Sequence, residues 1–125
     1  MATRSRIGIE QEDGTVRSIY CHWDGHPSHQ LPILRENYTD REKVDKLIQL
    51  GDISYLAPQV EIPEGSDHSF DNRDYGIVCA YHRDRGEDYR KPKVNYSVDG
   101  YFRSDIERYG YLFTQEGKWI YKPGN

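Results

Sequence analysis

Ser18-Ile-Tyr-Cys-His-Trp-Asp-Gly25 brings apolar, aromatic, thiol, imidazole and carboxylate side chains together in eight residues. Extended chain alternates its side chains between two faces, so Ile19, Cys21 and Trp23 are expected on one side and Tyr20, His22 and Asp24 on the other. The first set builds a core, the second is free for binding or chemistry, and the stretch reads as the central strand. Upstream, Thr3 to Ile9 alternates polar with apolar or small residues, and Asp13-Gly14 supplies a turn before extended character resumes. Asp-Gly between two such runs predicts an antiparallel pair over residues 4–10 and 15–23. Gly8 inside the first strand predicts a bulge, or an aromatic neighbour lying across the backbone.

Downstream of Gly25, residues 26–30 (His-Pro-Ser-His-Gln) are expected to leave the sheet as a loop, and Leu31, Ile33 and Leu34 to form one short helical piece. Thr39 and Glu42 have the N-cap and N3 spacing of a capping box, with Asp40 at the positive end of the helix dipole. Val44, Leu47 and Ile48 then make an apolar stripe and Gly51 a stop, so the principal helix covers about residues 40–50. Residues 52–75 show no sustained periodicity and contain Pro58, Pro63 and Gly65, the mark of a functional excursion or of an element the pattern hides. Gly76 to His82 is β-branched and nearly continuously apolar, which predicts a strand buried on both faces, placed beside 15–23. Residues 109–114 and 118–121 predict a final hairpin about Glu116-Gly117. The sum is a single α+β domain over residues 1–125, with a four- to five-stranded, largely antiparallel sheet and one principal helix packed on a face.

Composition narrows the function classes. Twenty-one acidic against 17 basic side chains leave a net charge of −4 with no basic stripe, so nucleic acid is not an expected partner. No apolar run approaches the roughly 18 residues of a membrane span, and no hydrophobic leader is present, so the expected compartment is a cytoplasm. Cys21 and Cys79 fall within expected strands and read as reduced, buried hydrophobes. Their isolation argues against a zinc-binding pair. Eleven tyrosines and two tryptophans mean that much of the buried area is amphipathic, and their polar ends need partners.

Ala2-Thr-Arg-Ser-Arg-Ile-Gly-Ile9, Asp13-Gly-Thr-Val16, the Ser18–Gly25 run, Tyr38-Thr-Asp-Arg-Glu-Lys-Val44, Leu50-Gly-Asp-Ile-Ser54 and Tyr81-His-Arg-Asp-Arg-Gly-Glu87 resemble a group of small tailed-bacteriophage proteins. The order and spacing cover most of residues 2–88, and the cysteine-histidine-tryptophan-aspartate-glycine run is the specific part. His26 stands where the group often has an aromatic. The resemblance implies a phage origin and work in the cytoplasm of an infected host; it carries no catalytic assignment.

Two constellations stand out. His22 and Asp24 on one strand, with His82 and Asp84 on its expected neighbour, would converge if the strands paired in register, giving a metal or acid/base cluster; the plainer reading is half-buried histidines bonded at strand ends. His26, His29, His68, Asp67 and Asp71 are loop residues able to complete such a site. Arg4, Arg6, Arg83 and Arg85 near Trp23 and Tyr81 offer guanidinium forks and stacking rings of the kind a nucleotide pocket needs, against which stand ordinary surface salt bridges. The expected binding set is therefore Arg4, Arg6, His22, Trp23, Asp24, Tyr81, His82, Arg83 and Arg85, with no catalytic residue, no resident metal and no cofactor. The expected partner is a host protein or a nucleotide-like small molecule, bound to counter a host defence or regulatory system. A homo-oligomer or minor virion protein and a small metal-dependent hydrolase or nuclease are the rivals.

Overall fold

In the computed structural model, which describes residues 2–124, the chain is an α+β domain built on one mixed sheet. The first two strands, β1 (Ser5–Glu10) and β2 (Val16–Trp23), pair antiparallel with Ile7 opposite Ile19, as their alternation predicts. The turn between them is held by Asp13, whose Oδ1 accepts from the Thr15 amide at 3.0 Å and from its hydroxyl at 2.6 Å. From β2 the chain crosses through α1 (Pro27–Asn37) and α2 (Arg41–Gln49) to β3 (Ile53–Tyr55), which lies parallel to β2. A two-residue strand, β4 (Cys79–Ala80), then edges β3, and α3 (Tyr81–Arg85) follows it directly. Next come β5 (Lys93–Asn95), α4 (Val98–Arg103), β6 (Tyr109–Phe113) and β7 (Trp119–Pro123). The strand order is β4-β3-β2-β1-β6-β7, with β5 pairing the first half of β2.

Among the described residues the sheet therefore has seven strands and the chain four helices, more of both than expected, and two of the strand pairings, β1 with β6 and β2 with β3, are parallel. The expected strand at 76–82 shrinks to Cys79–Ala80 and does not touch β2. Two causes are visible. The crossover through α1 and α2 delivers Ile53–Tyr55 to the edge of β2 first. Asp84 Oδ2 also accepts from the Ala80 amide at 2.7 Å, and Gly86, at φ +77°, closes the turn, so the charged run after Ala80 winds into a helix. The loop expected at 26–30 is instead the first part of α1: His26 caps it, its side chain accepting from the Ser28 amide, and Pro27 occupies the first turn. Pro32 inside α1 hid its length from the pattern. At α2 the cap is Asp40 rather than Thr39, Oδ1 accepting from the Glu42 amide at 3.1 Å.

Two cores lie on the two faces. The larger packs Ile7, Ile9, Ile19, Cys21 and Ile53 against Leu34 of α1 and Val44, Leu47 and Ile48 of α2. The smaller gathers Val16, Tyr101, Phe102, Ile106 and Leu112 beneath α4. A Cβ on Gly8 would stand 3.2 Å from the Tyr101 ring, so an aromatic does lie across that backbone. The polar ends of the buried aromatics find backbone partners: the Tyr38 hydroxyl donates to Ala57 O at 2.6 Å, Tyr101 to Tyr111 O at 2.9 Å, and Tyr111 to Gly25 O at 2.6 Å. Both cysteines are buried and free. Cys21 takes a hydrogen bond at 3.0 Å from Gln30, a buried residue of α1.

Candidate functional site

Where α3 ends, the chain folds back against the end of α2 and makes a cleft. His82 Nδ1 bonds Glu87 O at 2.8 Å, the Tyr89 hydroxyl donates to Gln49 O at 2.8 Å, and Arg90 O comes so near Gly51 that a Cβ there would stand 2.6 Å away. Gly51 sits at φ +77°, so it both turns the chain out of α2 and lets residues 89–90 close in. The cleft encloses about 180 Å³ between Tyr20, Leu50 and Asp52 on one side and Tyr81, His82, Glu87, Asp88 and Arg90 on the other.

Its chemistry is that of acceptors. Asp52 Oδ1 accepts the Tyr20 amide at 3.1 Å, which fixes the carboxylate beside the middle of β2. A carbonyl only accepts, so the His82 bond to Glu87 O places the ring proton on Nδ1 and leaves Nε2 with a lone pair in the neutral ring. Tyr20 shares a 2.6 Å hydrogen bond with His22 Nδ1, two residues along the same face of β2. Burial holds the Tyr20 and Tyr81 hydroxyls above their ordinary range, so both rings are neutral walls at working pH. Asp52, Glu87 and Asp88 bring three carboxylates to the opening, Arg85 pairs with Glu87 at 3.4 Å and Arg90 stands in the lining, which leaves an excess of one negative charge.

Of the nine residues singled out from the sequence, Tyr81 and His82 line this cleft. His22 reaches it through Tyr20. The arginines are spread over the molecule. Arg6 clasps β2, Nε on Ser18 Oγ and Nη2 on Ser18 O, both at 3.1 Å. Arg4 is exposed. Arg83 turns inward to Val60 O, Val78 O and Asp84. Arg85 lies over Phe70 at 4.7 Å and pairs with Glu87 at 3.4 Å. Trp23 and Asp24 close the end of β2, Trp23 40% exposed and Asp24 in left-handed conformation at φ +56°. At the last position of β2 Trp23 lies outside the core, and its ring meets His22 edge-on at 4.7 Å.

The expected convergence of His22, Asp24, His82 and Asp84 does not occur, because β3 separates the two segments and Asp84 points to the other side of α3. Among the described residues, one group of three or more metal-ligating side chains is close-set: His68, Cys79 and Asp84, with ligand atoms within 4.8 Å of one another. Its hydrogen bonds speak for a different role. His68 Nδ1 accepts from the Asp74 amide at 2.9 Å, whereas a metal on Nε2 requires a proton on Nδ1. Asp84 is already bonded by Arg83 and the Ala80 amide. The trio therefore reads as an internal clasp.

The alternation in Ser18–Gly25 puts Tyr20 on the free face with His22 and Asp24, whereas nothing in the sequence singles out the cleft residues Asp52, Asp88 and Arg90. The signal for them is weak: Asp52 follows a helix-stopping glycine, and Asp88 ends the alternating charges of Arg83-Asp-Arg-Gly-Glu-Asp88. Comparison of the chain with models of protein families, with curated proteins and with solved structures returns no match to any of them. No helix among the described residues is long and apolar enough to cross a membrane.

Proposed function

We propose that the chain is a phage-encoded accessory protein that acts in the infected host by binding, and that what it occludes is a host protein rather than a nucleotide. The phage origin and the host setting rest on the resemblance carried by Ser18–Gly25 and its flanking motifs. The binding reading rests on the cleft between Tyr20 and Tyr81, whose negative lining is the observation that carries it. A phosphate would meet the Asp52 and Asp88 carboxylates there, Arg6 and Arg83 are engaged elsewhere, and Arg85 is taken up by Glu87 at the rim itself. A basic surface on a host protein has the complementary charge.

A self-association reading draws on β7, an edge strand with Ile120 and Tyr121 exposed. Antiparallel pairing of two copies about Ile120 would set Lys118 opposite Lys122, and like charges in that position are unfavourable. The cleft is the better supported surface.

The test uses tagged protein expressed during infection, compared with the double variant Glu87→Lys, Asp88→Lys; both residues are exposed, so the fold tolerates the change. A host protein recovered with the parent chain and lost with the variant is the expected result. In parallel, a nucleotide panel should leave the melting temperature unmoved, whereas a ligand at a hundred times its dissociation constant would add about 2.7 kcal/mol. Stabilisation by a nucleotide, or recovery indifferent to the two lysines, overturns the reading.

A further inference from the structure

We infer that the group the cleft receives is the guanidinium of an arginine side chain on the partner, an inference that rests on the binding reading above. At about 180 Å³ the cleft is smaller than the roughly 300 Å³ at which pockets for whole small-molecule ligands begin, and it suits one side chain. Its walls are two phenol rings and Leu50, and its polar lining is rich in acceptors: the Asp52 and Asp88 carboxylates and His82 Nε2, beside a Glu87 carboxylate shared with Arg85.

An occupant for such a lining must donate in several directions, carry positive charge and present a flat face to the rings. Guanidinium has five N–H donors and no acceptor, is more weakly hydrated than an ammonium, and lies readily against aromatic faces. A lysine ammonium offers three donors at a point and gives up tighter hydration on entering. Arg85 shows the same preference within the chain, its guanidinium held between the Phe70 ring at 4.7 Å and the Glu87 carboxylate at 3.4 Å. Asp52 is the best placed carboxylate for the buried end, since its Oδ1 is anchored on the Tyr20 amide while the group stays half-buried. Asp88 stands at the exposed mouth and steers the cation inward, next to the Glu87–Arg85 pair. Arg90, exposed on the same rim, is a like charge that an incoming cation meets there.

The experiment is a titration of isotopically labelled full-length protein with N-acetyl-arginine methylamide, followed by amide chemical shifts, with the lysine and citrulline analogues and guanosine monophosphate as parallel arms. The arginine compound should give saturable shifts at Asp52, Tyr81, Glu87 and Asp88. The lysine analogue should bind at least tenfold more weakly, and citrulline, equal in shape but uncharged, should give none. Asp52→Asn keeps an acceptor for the Tyr20 amide while removing the charge, and should weaken arginine binding at least tenfold. Equal response to arginine and lysine, tighter binding of guanosine monophosphate, or no saturable shift would each overturn the assignment. Loss of the arginine response while Glu87→Lys, Asp88→Lys still abolishes host-protein capture would remove the guanidinium and leave the occlusion; loss of both would remove both.

Discussion

The imidazole of His68 ends 3.6 Å from Asp84 Oδ2, and neither side chain is exposed to solvent beyond 1%. Within residues 61–76 His68 is the one buried residue, so the middle of the excursion between β3 and β4 meets the body of the protein through a polar side chain, while Leu56, Ala57, Val60, Ile77 and Val78 bury its two ends. Its Nδ1 holds the Asp74 amide from within the loop, and Phe70 N bonds Asp84 O at 3.0 Å beside it. Phe70 itself is flanked by Arg73 at 4.8 Å and Arg85 at 4.7 Å.

Replacing His68 with alanine leaves the Asp74 amide without its partner and opens a void next to a buried carboxylate. We expect a loss of about 1–3 kcal/mol in urea unfolding and faster protease cleavage between residues 61 and 76. His68→Asn, whose Oδ1 can stand in for Nδ1, should recover part of both. An alanine variant as stable and as protease-resistant as the parent would show that the clasp is idle.

Arg83 binds Val60 O, Val78 O and Asp84 through one planar fork, so charge alone cannot replace it. Arg83→Lys should cost about 2–3 kcal/mol, because a single ammonium cannot satisfy two carbonyls and a carboxylate set around a plane. Equilibrium denaturation that finds lysine equivalent to arginine would contradict this.

Tyr38 fastens the start of the excursion, its hydroxyl donating to Ala57 O at 2.6 Å, while its own carbonyl accepts the Trp119 indole N–H at 2.9 Å. Tyr38→Phe keeps the ring and strands the Ala57 carbonyl. The expected destabilisation is about 1–2 kcal/mol, visible in thermal and urea melts, and a neutral result would mean that water reaches Ala57.

Alkaline pH should unfold the protein through its buried acids. Burial pushes the Cys21 thiol from 9.0 up to about 12, and raises the Tyr38, Tyr101 and Tyr111 phenols above their ordinary 10.0. Above pH 9 the unfolded chain releases the thiol proton while the folded one keeps it. The folded state then binds more protons, and stability falls as pH rises. The Cys21 contribution is intact below pH 9 and lost between pH 9 and 12, with the phenols joining above pH 10. Each fully titrating group lowers stability by about 1.4 kcal/mol per pH unit. Unfolding free energy that stays level from pH 8 to pH 11 would refute the burial of these groups.

The legible parts of the chain are those where a local pattern and its tertiary setting agree. Ile7, Ile9, Ile19 and Cys21 alternate because one face of β1 and β2 is core, and Asp13-Gly14 sets the turn; nothing distant is needed to read that hairpin. Val44, Leu47 and Ile48 likewise announce α2. The stretch from Gly76 to His82 misled because its apolar run satisfies a strand or a buried turn equally well. Asp84, bonding back to the Ala80 amide, decides between them. The arginines misled for a related reason: a guanidinium reads as a free charge until the carbonyls that absorb it are in view, as Val60 O and Val78 O do for Arg83.

The order of residues by itself determined an α+β domain around the Ser18–Gly25 strand, the β1–β2 and β6–β7 hairpins, the α2 stripe and two reduced cysteines, since each follows from side-chain period, turn chemistry or burial of neighbours a few residues away. Only the tertiary structure decided that β3 would stand between β2 and β4, that His68 would meet Asp84, and that Tyr20, Asp52 and His82 would share a cleft. Those relations join residues 16 to 62 positions apart, and register across strands depends on which crossover reaches the sheet edge first, a competition between packed elements that no local pattern encodes.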